Sequence, residues 1–131
     1  MQSVVLDTNV FVAAGFNSRS SSARLIRAVR DGELRFVWNQ ATRAETRQIL
    51  RQIPPLDWGA FEGLFDEASE YTGETDLQAY RLIEDPDDRK FAALAKATGA
   101  VLVSNDDDLL SVRDRLDIPV KTPEETARNS T

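Results

Sequence analysis

The sequence predicts an α/β fold of three layers, a mostly parallel sheet with helices on both faces. Two observations carry this. Short apolar runs of strand length, VVL at 4–6 and VLV at 101–103, alternate with longer stretches of helical periodicity. That alternation is what a parallel sheet covered on both sides produces. The composition agrees: 131 residues, 29% charged and 41% hydrophobic, make an ordinary globular chain able to bury a core.

Residues 3–7 read as the first strand, followed by a short helix over 10–14. GFNSRSSS at 15–22 is a polar loop whose serines offer an N-cap. The next helix runs to Asp31-Gly32, with Leu25, Ile26 and Val29 inward and Arg24, Arg27 and Arg30 mostly outward. LRFVW at 34–38 fits a second strand by its aromatic and β-branched content. Asn39 or Gln40 then opens a helix stopped by Pro54-Pro55, with Arg43, Arg47 and Arg51 in one stripe.

Asp57 reads as another cap, and Phe61, Leu64, Phe65 and Ala68 give the following stretch the apolar face of a helix. YTGET at 71–75 is a candidate short strand. The stretch from 84 carries a stronger helix signal: Asp85 as cap, Pro86 in the first helical position and Gly99 as terminator. AVLVS at 100–104 is a buried strand, NDDDLL at 105–110 opens a short helix, and IPVK at 118–121 is the last strand. Thr122 and Glu125 form a capping box for a closing helical turn. No repeat or linker divides the chain, which predicts one domain over 1–131.

The chain has no histidine and no cysteine. Histidine-based nucleophile systems, thiolates, ordinary zinc sites and disulfides are therefore excluded. The glycines form no phosphate-cradling loop. No apolar run reaches the length of a membrane span, and no signal-peptide layout opens the chain, so the expected location is cytoplasmic and away from membranes. Net charge is −6, but residues 1–55 hold eight arginines against four acids, a balance of +4. That asymmetry suggests an arginine-bearing surface for a polyanion or an acidic partner.

Hydrolytic chemistry in such a chain falls to carboxylates. Ligands of open α/β sheets bind beyond the carboxyl ends of the strands. Asp7 closes the first strand, and Asp106 follows the 101–104 strand by two residues. Glu45 lies four residues from both Ala41 and Ile49, on the side away from the arginine stripe. Asp88 precedes Phe91 and Ala92 by three and four residues and also faces inward. A capping or dipole role accounts for Asp85 and Asp87, but an inward acid such as Glu45 is costly without a partner. Carboxylates gathered at one edge repel unless a hard cation such as Mg²⁺ or Mn²⁺ joins them, and that ion can activate water against a phosphodiester.

VVLDTNVFV, Glu45 in ATRAETRQIL, DPDDRKFAALAKATGAVLVSNDDDLL and the closing TPEE resemble, in this order, a PIN domain. Within that family they are most similar to the VapC-like ribonuclease toxins of toxin–antitoxin systems. The resemblance covers nearly the whole chain. It implies a five-stranded parallel sheet between helices and a Mg²⁺- or Mn²⁺-dependent ribonuclease, with the acidic quartet on Asp7, Glu45, Asp88 and Asp106. Asp108 matches a further acid, and Asn9 and Ser104 match polar positions that orient the site. The resemblance also implies an RNA substrate, a homodimer and a small antitoxin that blocks the site. Arg19, Arg24, Arg43 and Arg47 are the expected contacts to the RNA backbone. Asn105 and Leu109 stand where related sequences often carry Gly and Phe, which points to a different subgroup.

Other readings fit less well. A haloacid-dehalogenase-type phosphatase needs a second Asp where Asn9 stands and a lysine late in the chain, and a receiver-like regulator lacks the same lysine context. An RNA-processing nuclease outside toxin–antitoxin systems, or a non-catalytic PIN fold that binds RNA or protein, keeps the fold and changes the role.

Overall fold

Valine and leucine dominate the strand-length runs, and branched side chains suit a pleated surface buried on both faces. In the computed structural model, which describes the backbone of residues 1–129 and the side chains of 1–127, these runs become β1 (Gln2–Leu6), β2 (Leu34–Phe36), β3 (Val101–Val103) and β4 (Val120–Lys121). They form one parallel sheet in the order β2-β1-β3-β4. The chain leaves β1 for β2 on one side and later returns to β3 on the other. Strand order therefore reverses between β1 and β3, and the crevice beyond their carboxyl ends is the expected ligand position.

Alternation along β1 divides the core. Val4 and Leu6 pack on one face with Phe11, Leu25, Leu50 and Ala127; Val5 packs on the other with Ile83, Phe91 and Leu94. The first face is covered by α1 (Thr8–Phe16), α2 (Ser21–Arg30), α3 (Gln40–Arg51) and α6 (Pro123–Asn129), and the second by α4 (Pro86–Thr98). A short α5 (Asp107–Leu110) follows β3. Most helix ends carry the expected chemistry. Ser20, Asn39 and Asp85 cap α2, α3 and α4, and Gly99 ends α4 at φ 72°, where a side chain would be strained. Thr122 and Glu125 close the capping box at α6, each side chain accepting from the other's backbone N–H.

Three expectations need correction. The sheet has four strands among the described residues, not five. Tyr71 N donates to Trp38 O at 2.8 Å, but the Tyr71 hydroxyl then reaches Glu74 O at 2.8 Å and the chain turns away. A single Trp38–Glu70 bridge is all the pairing that 71–75 and its flank provide. The apolar stretch after Asp57 is also not one helix. It folds as three single 3₁₀ turns, Trp58–Ala60, Glu62–Leu64 and Glu67–Ser69. Gly59 and Gly63 weaken any helix there, while the Asp57 and Asp66 side chains accept from Gly59 and Ala68 and restart the chain locally. Phe65 still turns inward, onto Phe11, Phe36, Trp38 and Trp58 at ring separations of 5.0–6.0 Å, but Ala68 is exposed. Finally, the first helix is longer than 10–14, because Asp7 is its cap rather than the last residue of the strand.

Candidate metal centre

Asp7 stands at the reversal point. Its backbone N–H still joins the sheet, donating to Val103 O at 3.0 Å, while its carboxylate begins α1. Oδ1 accepts from Thr8 N at 2.8 Å and Oδ2 from Ser104 Oγ at 2.7 Å. The Ser104 hydroxyl in turn accepts from Asp106 N at 3.0 Å. One buried hydroxyl thus ties the ends of β1 and β3 together and fixes the spacing of two acids.

Asp106 caps α5, accepting from Asp108 N at 3.0 Å. Asp88 comes from the first turn of α4 and is 8% exposed; Asp7 is 4% exposed. Each of Asp7, Asp88 and Asp106 offers a carboxylate oxygen, and the three lie within 4.8 Å of one another. Asp88 Oδ2 is buried with no hydrogen-bond partner. Buried polar atoms in folded proteins are nearly always satisfied, so this orphan asks for a ligand.

The electrostatics point the same way. Burial pushes the Asp7 carboxyl up to about 6 against the hydrogen bonds from Ser104 and Thr8, and the charges of Asp106 and Glu45 add to the rise. Asp88 is raised to about 8, by burial first, then by its contact with the Asp106 carboxyl and the charges of Asp7, Asp106 and Asp85. Without a cation, Asp7 and Asp88 retain protons well above the usual carboxylate range. A hard divalent ion takes carboxylate oxygens and relieves both the crowding and the orphan. The donor set fits such an ion.

The other sequence-selected residues are placed as follows. Glu45 adjoins the cluster on α3 but is not part of the set of three, and its Oε1 accepts from Lys90 Nζ at 2.7 Å. Asp108 is exposed and meets Asp106 through its backbone N–H only. Asn9 Oδ1 accepts from Asn105 N at 3.2 Å and so braces the turn after β3. Arg19, Arg24 and Arg47 are exposed. Arg43 is engaged, its guanidinium 5.3 Å from the Trp58 ring centre and 3.5 Å from Glu62. Two features escaped the sequence reading. One is the pairing of Lys90 with Glu45; the other is the buried Thr8–Thr46 hydroxyl contact at 3.0 Å, which ties α1 to α3. Only the lysine had a signal, a cation next to the inward-facing Phe91.

A family model described as a PIN domain matches residues 3–108, most of the chain and all four acids. The chain belongs to the PIN domain family. PIN domains are generally nucleases and generally use divalent metals, which accords with the acidic cluster at the sheet edge. No curated protein matches the sequence. Among solved structures, the PIN chain resembles the crystal structure of PAE2754 from Pyrobaculum aerophilum. The TM-score is 0.59 at 18% identity, over 98% of this chain and 96% of that one. At that identity the likeness speaks for the fold. No helix among the described residues is long and apolar enough to cross a membrane.

Proposed function

We propose that this PIN domain is a Mg²⁺- or Mn²⁺-dependent endoribonuclease, and that it is the toxin of a type II toxin–antitoxin system. The observation that carries the nuclease reading is the buried, unpartnered oxygen of Asp88, a residue whose carboxylate clusters with those of Asp7 and Asp106. The toxin assignment, the small antitoxin partner and the homodimer are supported by the resemblance of the motifs to VapC-like proteins.

Asp7, Asp88 and Asp106 would hold the ion, and Glu45 adds negative charge beside them. With a divalent cation between these carboxylates, a water acidic enough to attack at neutral pH would be available, and the charge that builds on a phosphodiester would be offset. The chain's own residues set the geometry. Ser104 and Thr8 N–H hold Asp7 in one orientation, so its free lone pairs need no rearrangement on binding. Asn9 and the Asp106 cap keep the turn after β3 from drifting. Exposed Arg19, Arg24 and Arg47 contact RNA phosphates, which position the strand without reading its sequence.

The test is Asp88→Asn and Asp106→Asn in an RNA-cleavage assay with Mn²⁺. Both variants lose cleavage while their circular dichroism and unfolding transitions stay those of a folded protein. Wild-type rates in either variant would refute the assignment.

A further inference from the structure

Lys90 lies two residues beyond Asp88 on α4, and its ammonium donates to Glu45 Oε1 on α3 at 2.7 Å. The two side chains are only 22% and 18% exposed. A short charge-assisted bond between largely dehydrated groups is among the stronger kinds a protein makes. The pair borders the acid cluster: the charge of Glu45 reaches Asp7, yet Glu45 does not join the set formed by Asp7, Asp88 and Asp106. The cleft therefore has two kinds of acid. Among the described residues no lysine or arginine pairs with the three aspartates, whereas Glu45 is paired with Lys90.

We propose that the Lys90 ammonium is a resident cation of the cleft, taking beside Glu45 the place that a second divalent ion would otherwise take, so that each chain binds one divalent ion. This rests on the metal-dependent reading of the three aspartates. Paired catalytic ions stand about 3.5–4 Å apart and are flanked by carboxylates from more than one element. Of the carboxylates flanking the three aspartates, Glu45 is the one that comes from α3 and is held by a cation of the chain. An incoming ion must either expel the ammonium held at 2.7 Å or share the carboxylate with it, and like charges at that range repel strongly away from bulk water. An ammonium is a compact point charge on a flexible stem, suited to that position. Lys90 is thus a positioning residue that sets how many ions the site takes.

Titration of Mn²⁺ into the full chain, with bound ions counted by electron paramagnetic resonance and calorimetry, tests this without reference to activity. Wild type binds one ion, and Lys90→Arg, which keeps the cation, also binds one. Lys90→Met, which keeps the apolar stem and frees Glu45, binds two. Lys90→Gln, which keeps a donor for Glu45 without the charge, also binds two and covers a failure of Lys90→Met to fold. Lys90→Met/Glu45→Gln returns to one. Glu45→Gln alone still binds one ion, because the three aspartates are unchanged, but more weakly than wild type, since the Lys90 ammonium is then left without its carboxylate. Two ions in wild type, or one ion in both folded charge-removing variants, overturns the role of Lys90 and leaves the three-aspartate site standing. No ion in wild type overturns the metal-dependent reading itself, and the proposal with it.

Discussion

Asp7→Asn is expected to stabilise the metal-free protein at pH 8 while abolishing its response to Mn²⁺. Burial raises the Asp7 carboxyl from 3.8 to about 6. The folded state therefore holds this proton more tightly than the unfolded chain does. The resulting penalty is absent below the unfolded value, grows as pH rises between the two, and is complete above the folded one. From 3.8 to about 6 it amounts to about 3 kcal/mol. Asparagine has no charge to bury. Its oxygen keeps the bond from Thr8 N, but its amide then faces Ser104 Oγ, which must accept where it had donated. A serine hydroxyl has two lone pairs and one already serves Asp106 N, so the exchange is feasible, but the buried Ser104 proton loses its acceptor and the change costs about 2 kcal/mol. The net gain is then about 1 kcal/mol, with some of the crowding on Asp88 relieved as well. Urea unfolding in chelator at pH 4 and pH 8 measures it. The variant should lead at pH 8 and lose that lead at pH 4. Mn²⁺ at about a hundred times its Kd stabilises wild type by about 2.7 kcal/mol and leaves the variant unmoved. A variant less stable than wild type at pH 8 in chelator would refute the electrostatic account of this site.

Ion binding must displace the protons that Asp7 and Asp88 retain to about 6 and about 8, so Mn²⁺ affinity should rise with pH across that interval. Calorimetry in buffers of different ionisation enthalpy reads this directly, with proton release near pH 6.5 that fades by pH 9; no release at pH 6.5 counts against protonated carboxylates in the free site. Away from the acids, Phe11→Ala should cost about 3–5 kcal/mol in urea unfolding, because Phe11 is fully buried and touches Phe36, Phe61 and Phe65. A loss below 1 kcal/mol would mean that the loop of 3₁₀ turns collapses to refill the space.

What the sequence exposes and what it hides follow from the range of the forces involved. Asp7 and Asp106 are legible because a strand-ending acid depends on a local fact, the end of an apolar run, and a parallel sheet gathers the ends of neighbouring strands at one edge. The capping box at Thr122 and Glu125 is legible for the same reason, since its partners are three residues apart. The stretch from Asp57 to Ser69 misleads because Phe61, Leu64 and Phe65 carry helical spacing for another purpose. They are recruited one turn at a time by Phe11, Phe36 and Trp38, whose positions are set by distant strands and a helix. Glu45 shows the limit most clearly. Its inward position could be read from spacing within its helix, and an unpartnered acid there pointed to a cation. The structure supplies a cation from 45 residues away, on the helix that also carries Asp88. Helical periodicity can state that a charge is buried, but not whether the charge that meets it is an ion or a lysine. That choice is made by the packing of α3 against α4, which no short-range pattern encodes. The ion-counting experiment on Lys90 is therefore a test of tertiary packing as much as of metal chemistry.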